Sequence, residues 1–141
     1  MPAPVRRRVR LSLVFPEAKQ LPEDSFDYLA RVLIARDPWM HRMDIAAATG
    51  RSPILDRHDA QVTEQVVHDL ALSWTGPTVI LDLSGPAGGR WTLGTQPPVA
   101  TVHSDAISYM RLLSGRLPDS SPTTEGDHTA AQALLATRID F

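Results

Sequence analysis

The stretch "GPTVILDLSGPAGGRWTLG", Gly76–Gly94, decides the fold class, because the hydrophobic period changes there. "GPT" closes a helical pattern. "TVILDLSG" and "RWTLG" then read as two β-rich runs, and "PAGG" between them supplies the glycine and proline of a hairpin. "VATVH" gives a third strand. "SDAISYMRLLSGR" reads as a helix capped by Ser104, with Ile107, Met110 and Leu112 or Leu113 inward. "PDSSPTTEG" reads as a loop, and "DHTAAQALLATR" as a last helix capped by Asp127.

Before Gly76 the pattern is helical. Val62, Val66, Leu70 and Trp74, widened by Val67, form the apolar stripe of a helix from about Asp56 to Trp74. "FDYLARVLIAR" carries Phe26, Leu29, Val32 and Leu33 on one face, with Asp24 or Ser25 as N-cap. Pro38 interrupts it, since proline inside a helix costs about 3 kcal/mol through a lost donor and a clash one turn back. The helix therefore either kinks there or restarts, and a restart reads well, with Asp37 as N-cap, Pro38 at the first helical position and Gly50 as the stop. The fold class is therefore α+β: a partial helical bundle over residues 1–75, preceded by an irregular arm, then a small α+β unit over 76–141.

Composition narrows the function. The 141 residues are 43% hydrophobic, with 14 Lys and Arg against 16 Asp and Glu, a formal net charge of −2. That balance offers no general attraction for nucleic acid. Arg6, Arg7, Arg8 and Arg10 cluster; without aromatic neighbours to stack bases they read as a solvated arm with a short strand rather than as a phosphate-binding patch. No apolar run is long enough to span a bilayer, and the N-terminus lacks the apolar core of a signal peptide. A cytoplasmic chain without membrane or nucleic-acid partners is expected. There is no cysteine, which excludes disulfides, thiolate metal ligands and a protein thiol nucleophile.

The chemistry-bearing stretch is "RDPWMHRMDI", Arg36–Ile45. Asp37 and His41 are four residues apart and Asp44 is three further on, so a continuous helix puts them on one face. Trp39, Met43 and Ala46 fall on another face, as core. A carboxylate and an imidazole at this spacing can chelate one divalent ion. The same residues also fit a helix cap, with His41 simply held by Asp44. Glu64 and His68 share the spacing but lie opposite the apolar stripe, facing solvent. His58, His103 and His128 sit near element ends without a partner cluster in sequence. "SGPAGG" lacks the Gly-Lys-Ser/Thr of a phosphate loop, and no nucleophile elbow occurs.

Taken together, "LARVLIARDPWMHRMDIAAATGR", "SGPAGGRWTLG", "SYMRLLSGR" and "LLATRIDF" resemble the second half of the mycothiol-dependent maleylpyruvate isomerase-like proteins. The resemblance covers about Tyr28 to Phe141 and is most specific around Trp39-Met40-His41. It implies a DinB-like metal-binding bundle joined to a small sterol-carrier-like α+β domain. It also implies a divalent metal, usually zinc, held by a first-helix His and by an acid and a His four apart, which fall on Asp37 and His41. Mycothiol would be the thiol cofactor and would supply the thiolate this chain lacks. The activity implied is isomerisation, or a related transfer, on a small carboxylate. An arginine of the C-terminal domain belongs to that site; Arg116 in "SGR" is the best candidate and Arg90 the alternative. Asp37 stands where the isomerase has Glu. No His precedes His41, so the resemblance implies an N-terminally truncated member. A homo-oligomer, or a partner chain completing the bundle, is then expected. The alternative is a non-catalytic module that binds a small molecule or a protein.

Overall fold

The computed structural model describes residues 32–139 and 141. The arginine cluster at 6–10, the short strand expected of that arm, and the expected Ser25 start with its Phe26 and Leu29 face lie outside the described residues. The first described element is a π-helical turn, Val32–Arg36, which runs directly into α1, Asp37–Thr49. The helix does not restart at Asp37. Arg36, the residue before it, is itself helical (φ −79°, ψ −46°), and no side chain caps the junction. Pro38 explains the wide turn: its ring presses on the turn before it and removes one donor, and a π-type widening is one way a helix absorbs that. At the other end Gly50 stops α1 as expected. Its φ of 64° is left-handed, and Arg51 N–H donates to Ala46 O at 3.0 Å.

α2, Arg57–Ser73, begins with a capping box. Asp56 accepts from the His58 backbone at 2.8 Å, and Asp59 accepts from the Asp56 backbone at 2.6 Å. Val62, Val66, Val67 and Leu70 are buried, as the stripe requires, and Trp74 is half-buried. Two buried acids on α2 tie it to the preceding helix. Asp59 takes hydrogen bonds from Trp39 Nε1, at 2.8 Å, and from Arg42. Asp69 pairs with the buried guanidinium of Arg36, which also donates to Gln65 O at 3.2 Å.

The sheet has four strands in the order β2-β1-β3-β4: β1 Val79–Ser84, β2 Gly89–Leu93, β3 Ala100–Asp105 and β4 Thr123–Gly126. β1 and β2 form the expected hairpin, with Leu83 opposite Gly89. β1 and β3 are parallel, with Val79 opposite Ala100. β4 corrects the reading of "PDSSPTTEG" as loop throughout. Its four residues show no apolar alternation, and they become a strand because the open edge of β3 satisfies their backbone groups, Ala100 opposite Gly126. Between β3 and β4 comes α3, Ala106–Leu113, capped by Asp105 rather than Ser104, because β3 extends one residue further; Asp105 accepts from Ser108 N–H at 3.0 Å. α4, His128–Ala136, is capped by Asp127 as expected.

One face of the sheet, carrying Val79, Leu81, Leu83, Leu93, Ala100 and Val102, is buried against the helices. Buried side chains from both sides of Gly76 join one cluster, from Trp39, Met40 and Met43 to Met110, Leu113 and Leu134. Among the described residues no helix is long and apolar enough to cross a membrane.

Asp59 makes stability depend on acid. Burial alone would raise its pKa. The Asp56 backbone N–H, the Trp39 indole and the Arg42 charge outweigh that and hold it below the ordinary carboxylate value. A depressed folded pKa stabilises the fold fully above the unfolded value of about 3.9, and that contribution is lost as pH falls through the folded value. Urea unfolding of wild type is therefore expected to show its midpoint falling between pH 5 and pH 2 more steeply than that of Asp59→Asn.

Candidate functional site

α1 exposes the pair that the sequence singles out. Asp37 Oδ1 and His41 Nε2 lie 3.4 Å apart, with side chains 50% and 62% exposed. They are a turn apart on the same helix, so the spacing is set by the backbone. Asp37 is His41's partner. The reading in which Asp44 holds His41 is corrected, because Asp44 is engaged elsewhere. Glu64 and His68 are exposed, as expected, and His68 Nδ1 lies 3.6 Å from Asp69 Oδ1. Among the described residues no group of three or more acids and histidines is placed to hold a metal ion. Asp37 and His41 are suitable donors for a divalent ion, but within one chain the described residues supply two of the three or four protein ligands that zinc sites use.

Trp39, Met40 and Met43 explain why this pair faces outward. All three are buried on the opposite side of α1, which turns Asp37, Pro38, His41 and Ile45 toward solvent. Met40 was not part of the core face expected from sequence. Trp39 and Met43 are covered within the chain, so they leave no apolar patch of the kind that would by itself require a partner.

Asp44 is the anchor of a second cluster. Arg116 Nε lies 2.9 Å from each of its carboxylate oxygens, and Arg111 Nη1 lies 3.0 Å from Oδ1. Arg111 also donates from Nε to Leu117 O at 3.0 Å. Gly115 makes the clamp possible: at φ 81° it reverses the chain after α3, and Arg116 N–H closes the turn on Arg111 O at 2.8 Å. The structure thus brings Arg116 to the helix that carries Asp37 and His41, onto a residue one turn beyond His41. Arg90 sits elsewhere, on the sheet face away from the core, where its Nη1 pairs with Asp82 at 2.5 Å.

That outer sheet face holds a cluster the sequence concealed. His103 Nδ1 is 3.4 Å from Asp82 Oδ2, and its Nε2 is 3.8 Å from Glu125 Oε1. His103, read as lacking a partner cluster, is placed between two acids by strand pairing: Asp82 is its cross-strand neighbour on β1, and Glu125 lies diagonally on β4. No local spacing could have signalled this.

No protein-family model matches the chain, and no curated protein matches it either.

Asp44→Ala would leave two part-buried guanidinium groups facing one another without their acceptor. It is expected to cost about 1–3 kcal/mol, read as a lower urea midpoint at unchanged m-value, and to cost more than Arg116→Ala, which leaves Arg111 in place.

Proposed function

We propose that the chain is a cytoplasmic member of the mycothiol-dependent maleylpyruvate isomerase-like proteins, with α1 and α2 as part of a DinB-like bundle and residues 76–141 as a sterol-carrier-like unit. In this reading Asp37 and His41 hold a divalent metal, zinc by preference, together with ligands from outside the described residues of one chain. The reaction is an isomerisation or transfer on a small carboxylate. The bound metal would favour the thiolate of mycothiol, the nucleophile this cysteine-free chain cannot supply. Arg116 would direct its terminal guanidinium nitrogens at the substrate carboxylate while Nε stays on Asp44.

The observation that supports the reading is the spacing of the donors. Two ligands about 2.1 Å from a tetrahedral ion stand about 3.4 Å apart, and Asp37 Oδ1 and His41 Nε2 are separated by 3.4 Å. The α+β architecture agrees with the coarse shape the resemblance implies.

A second reading is a non-catalytic binding module. The clamp favours it: Arg116 is engaged by a carboxylate of the protein itself, which is the work of a structural residue.

Calorimetric titration with zinc tests the shared premise. Weak binding by wild type is expected, abolished in His41→Ala and reduced in Asp37→Ala. Equal binding by wild type and His41→Ala would place the ion elsewhere. Incubation of the zinc-loaded chain with maleylpyruvate and mycothiol then separates the readings: fumarylpyruvate formation supports the enzyme, and zinc binding without turnover supports the module.

A further inference from the structure

We infer that the cleft at the C-terminal end of α2 is a binding site for a neutral saccharide. The inference stands apart from the metal-binding reading: the cleft shares no residue with Asp37, His41 or the Asp44 clamp.

The cleft holds about 640 Å³, within the range of about 300–1,000 Å³ typical of small-molecule sites. It is lined by the end of α2 with Trp74, by the turn that leads into β1, by Thr92 of β2 and by the 94–99 loop. The protein itself fixes these walls. Trp74 Nε1 donates to Pro77 O at 2.9 Å, and the indole lies so close to Gly76 that a side chain there would collide with it. Thr78 pins the 94–99 loop: Gln96 N–H donates to its Oγ1 at 3.0 Å, and Val99 N–H donates to its carbonyl oxygen at 2.9 Å. Gly94, at φ 112°, packs directly on the same residue. Walls held in this way need not be ordered by a ligand, which spares part of the usual entropic cost of binding.

The lining decides the chemistry of the occupant. Among the described residues no charged side chain faces this cleft. An ion would have to shed water there without a counter-charge, so the occupant is uncharged. Trp74, Pro77, Pro97 and Val99 supply apolar surface, and Val99 is 45% exposed. Interspersed with them are the hydroxyls of Thr75, Thr92 and Thr95 and the amide of Gln96. All four residues are exposed, and their side chains have no hydrogen-bond partner among the described residues. A fatty chain would leave those groups facing hydrocarbon. A flat heterocycle calls for a second ring face to sandwich it, and Trp74 is the one aromatic among the described lining residues. A sugar ring matches both halves of the lining. Its C–H face stacks on an indole, and its hydroxyls donate and accept as Thr and Gln side chains do.

The test is an NMR titration of the isotope-labelled full chain, with the methyl glycosides of glucose, galactose and mannose as probes. At least one is expected to give saturable shifts confined to amides of residues 71–78 and 92–99. Glucuronate, which adds a charge to the same ring, is expected to bind at least tenfold more weakly. Trp74→Ala is expected to weaken glycoside binding on the order of tenfold, the worth of one good aromatic contact. Because Trp74 is half-buried, the exposed double variant Thr92→Val with Gln96→Ala provides a second reading; it keeps the Gln96 backbone bond to Thr78 and is expected to bind severalfold more weakly. Several results would overturn the inference: no saturable shift with any of the three glycosides, shifts centred elsewhere, glucuronate bound as tightly, or a double variant that binds like wild type. Shifts at these amides with 2-naphthol and with none of the glycosides would also overturn it, by assigning the cleft to flat aromatic rings.

Discussion

The carboxylate of Asp59 is the fixed point of the helical half. It is fully buried, and a buried charge persists only when its oxygens are occupied. Here one oxygen receives the Asp56 backbone and the other receives the Trp39 indole and Arg42. Three requirements are met by one group: α2 gains its N-terminal cap, the polar atom of a core tryptophan is satisfied, and α1 is fixed in rotation about its own axis. The rotation matters most. It sets Met40 and Met43 inward and leaves Asp37 and His41 outward. The exposure of the candidate metal pair is a consequence of how Trp39, midway between its two members, is held.

α1 thus presents three sides with different duties. The buried side joins the common core, a second side offers Asp44 to the arginines after α3, and the third is open. The first two lock the helix to α2 and the common core on one side and to the arginines after α3 on the other, by contacts of opposite character. Trp39, Met40 and Met43 contribute non-directional burial, while the Asp44 clamp imposes direction through charge-assisted hydrogen bonds. With two sides fixed, the open side has a defined shape, and such preorganisation is what a ligand site requires.

Much of this frame was legible in the residues. The Val62–Val66–Leu70 stripe is strictly periodic, and it became α2 with those residues buried. "TVILDLSG" and "RWTLG" carry β-branched and aromatic residues around a glycine-rich turn, and they paired as a hairpin. The parts that escaped depend on distant partners. β4 has little strand character of its own and exists because β3 offers an edge. The wide turn before Pro38 reflects how a helix relieves a local clash, and a sequence pattern cannot distinguish that from a break. At the candidate site, the Asp37–His41 spacing was readable because four residues on a helix are neighbours by construction. The Asp44–Arg116 and Asp82–His103 contacts were not, since they join residues far apart in the chain.

The central position of β1 governs how the fold is assembled and how it breathes. β1 lies between an antiparallel partner made by an immediate turn and a parallel partner reached only after the chain crosses over. The hairpin closes a loop of a few residues, at small entropic cost. The β1–β3 pair must wait for the crossover, and α3 and α4 have no surface to cover until it has formed. The order of events is therefore built into the connectivity. The same geometry grades protection from solvent hydrogen: amides of β1 are enclosed by strands on both sides, whereas β2 and β4 expose one edge each and open first.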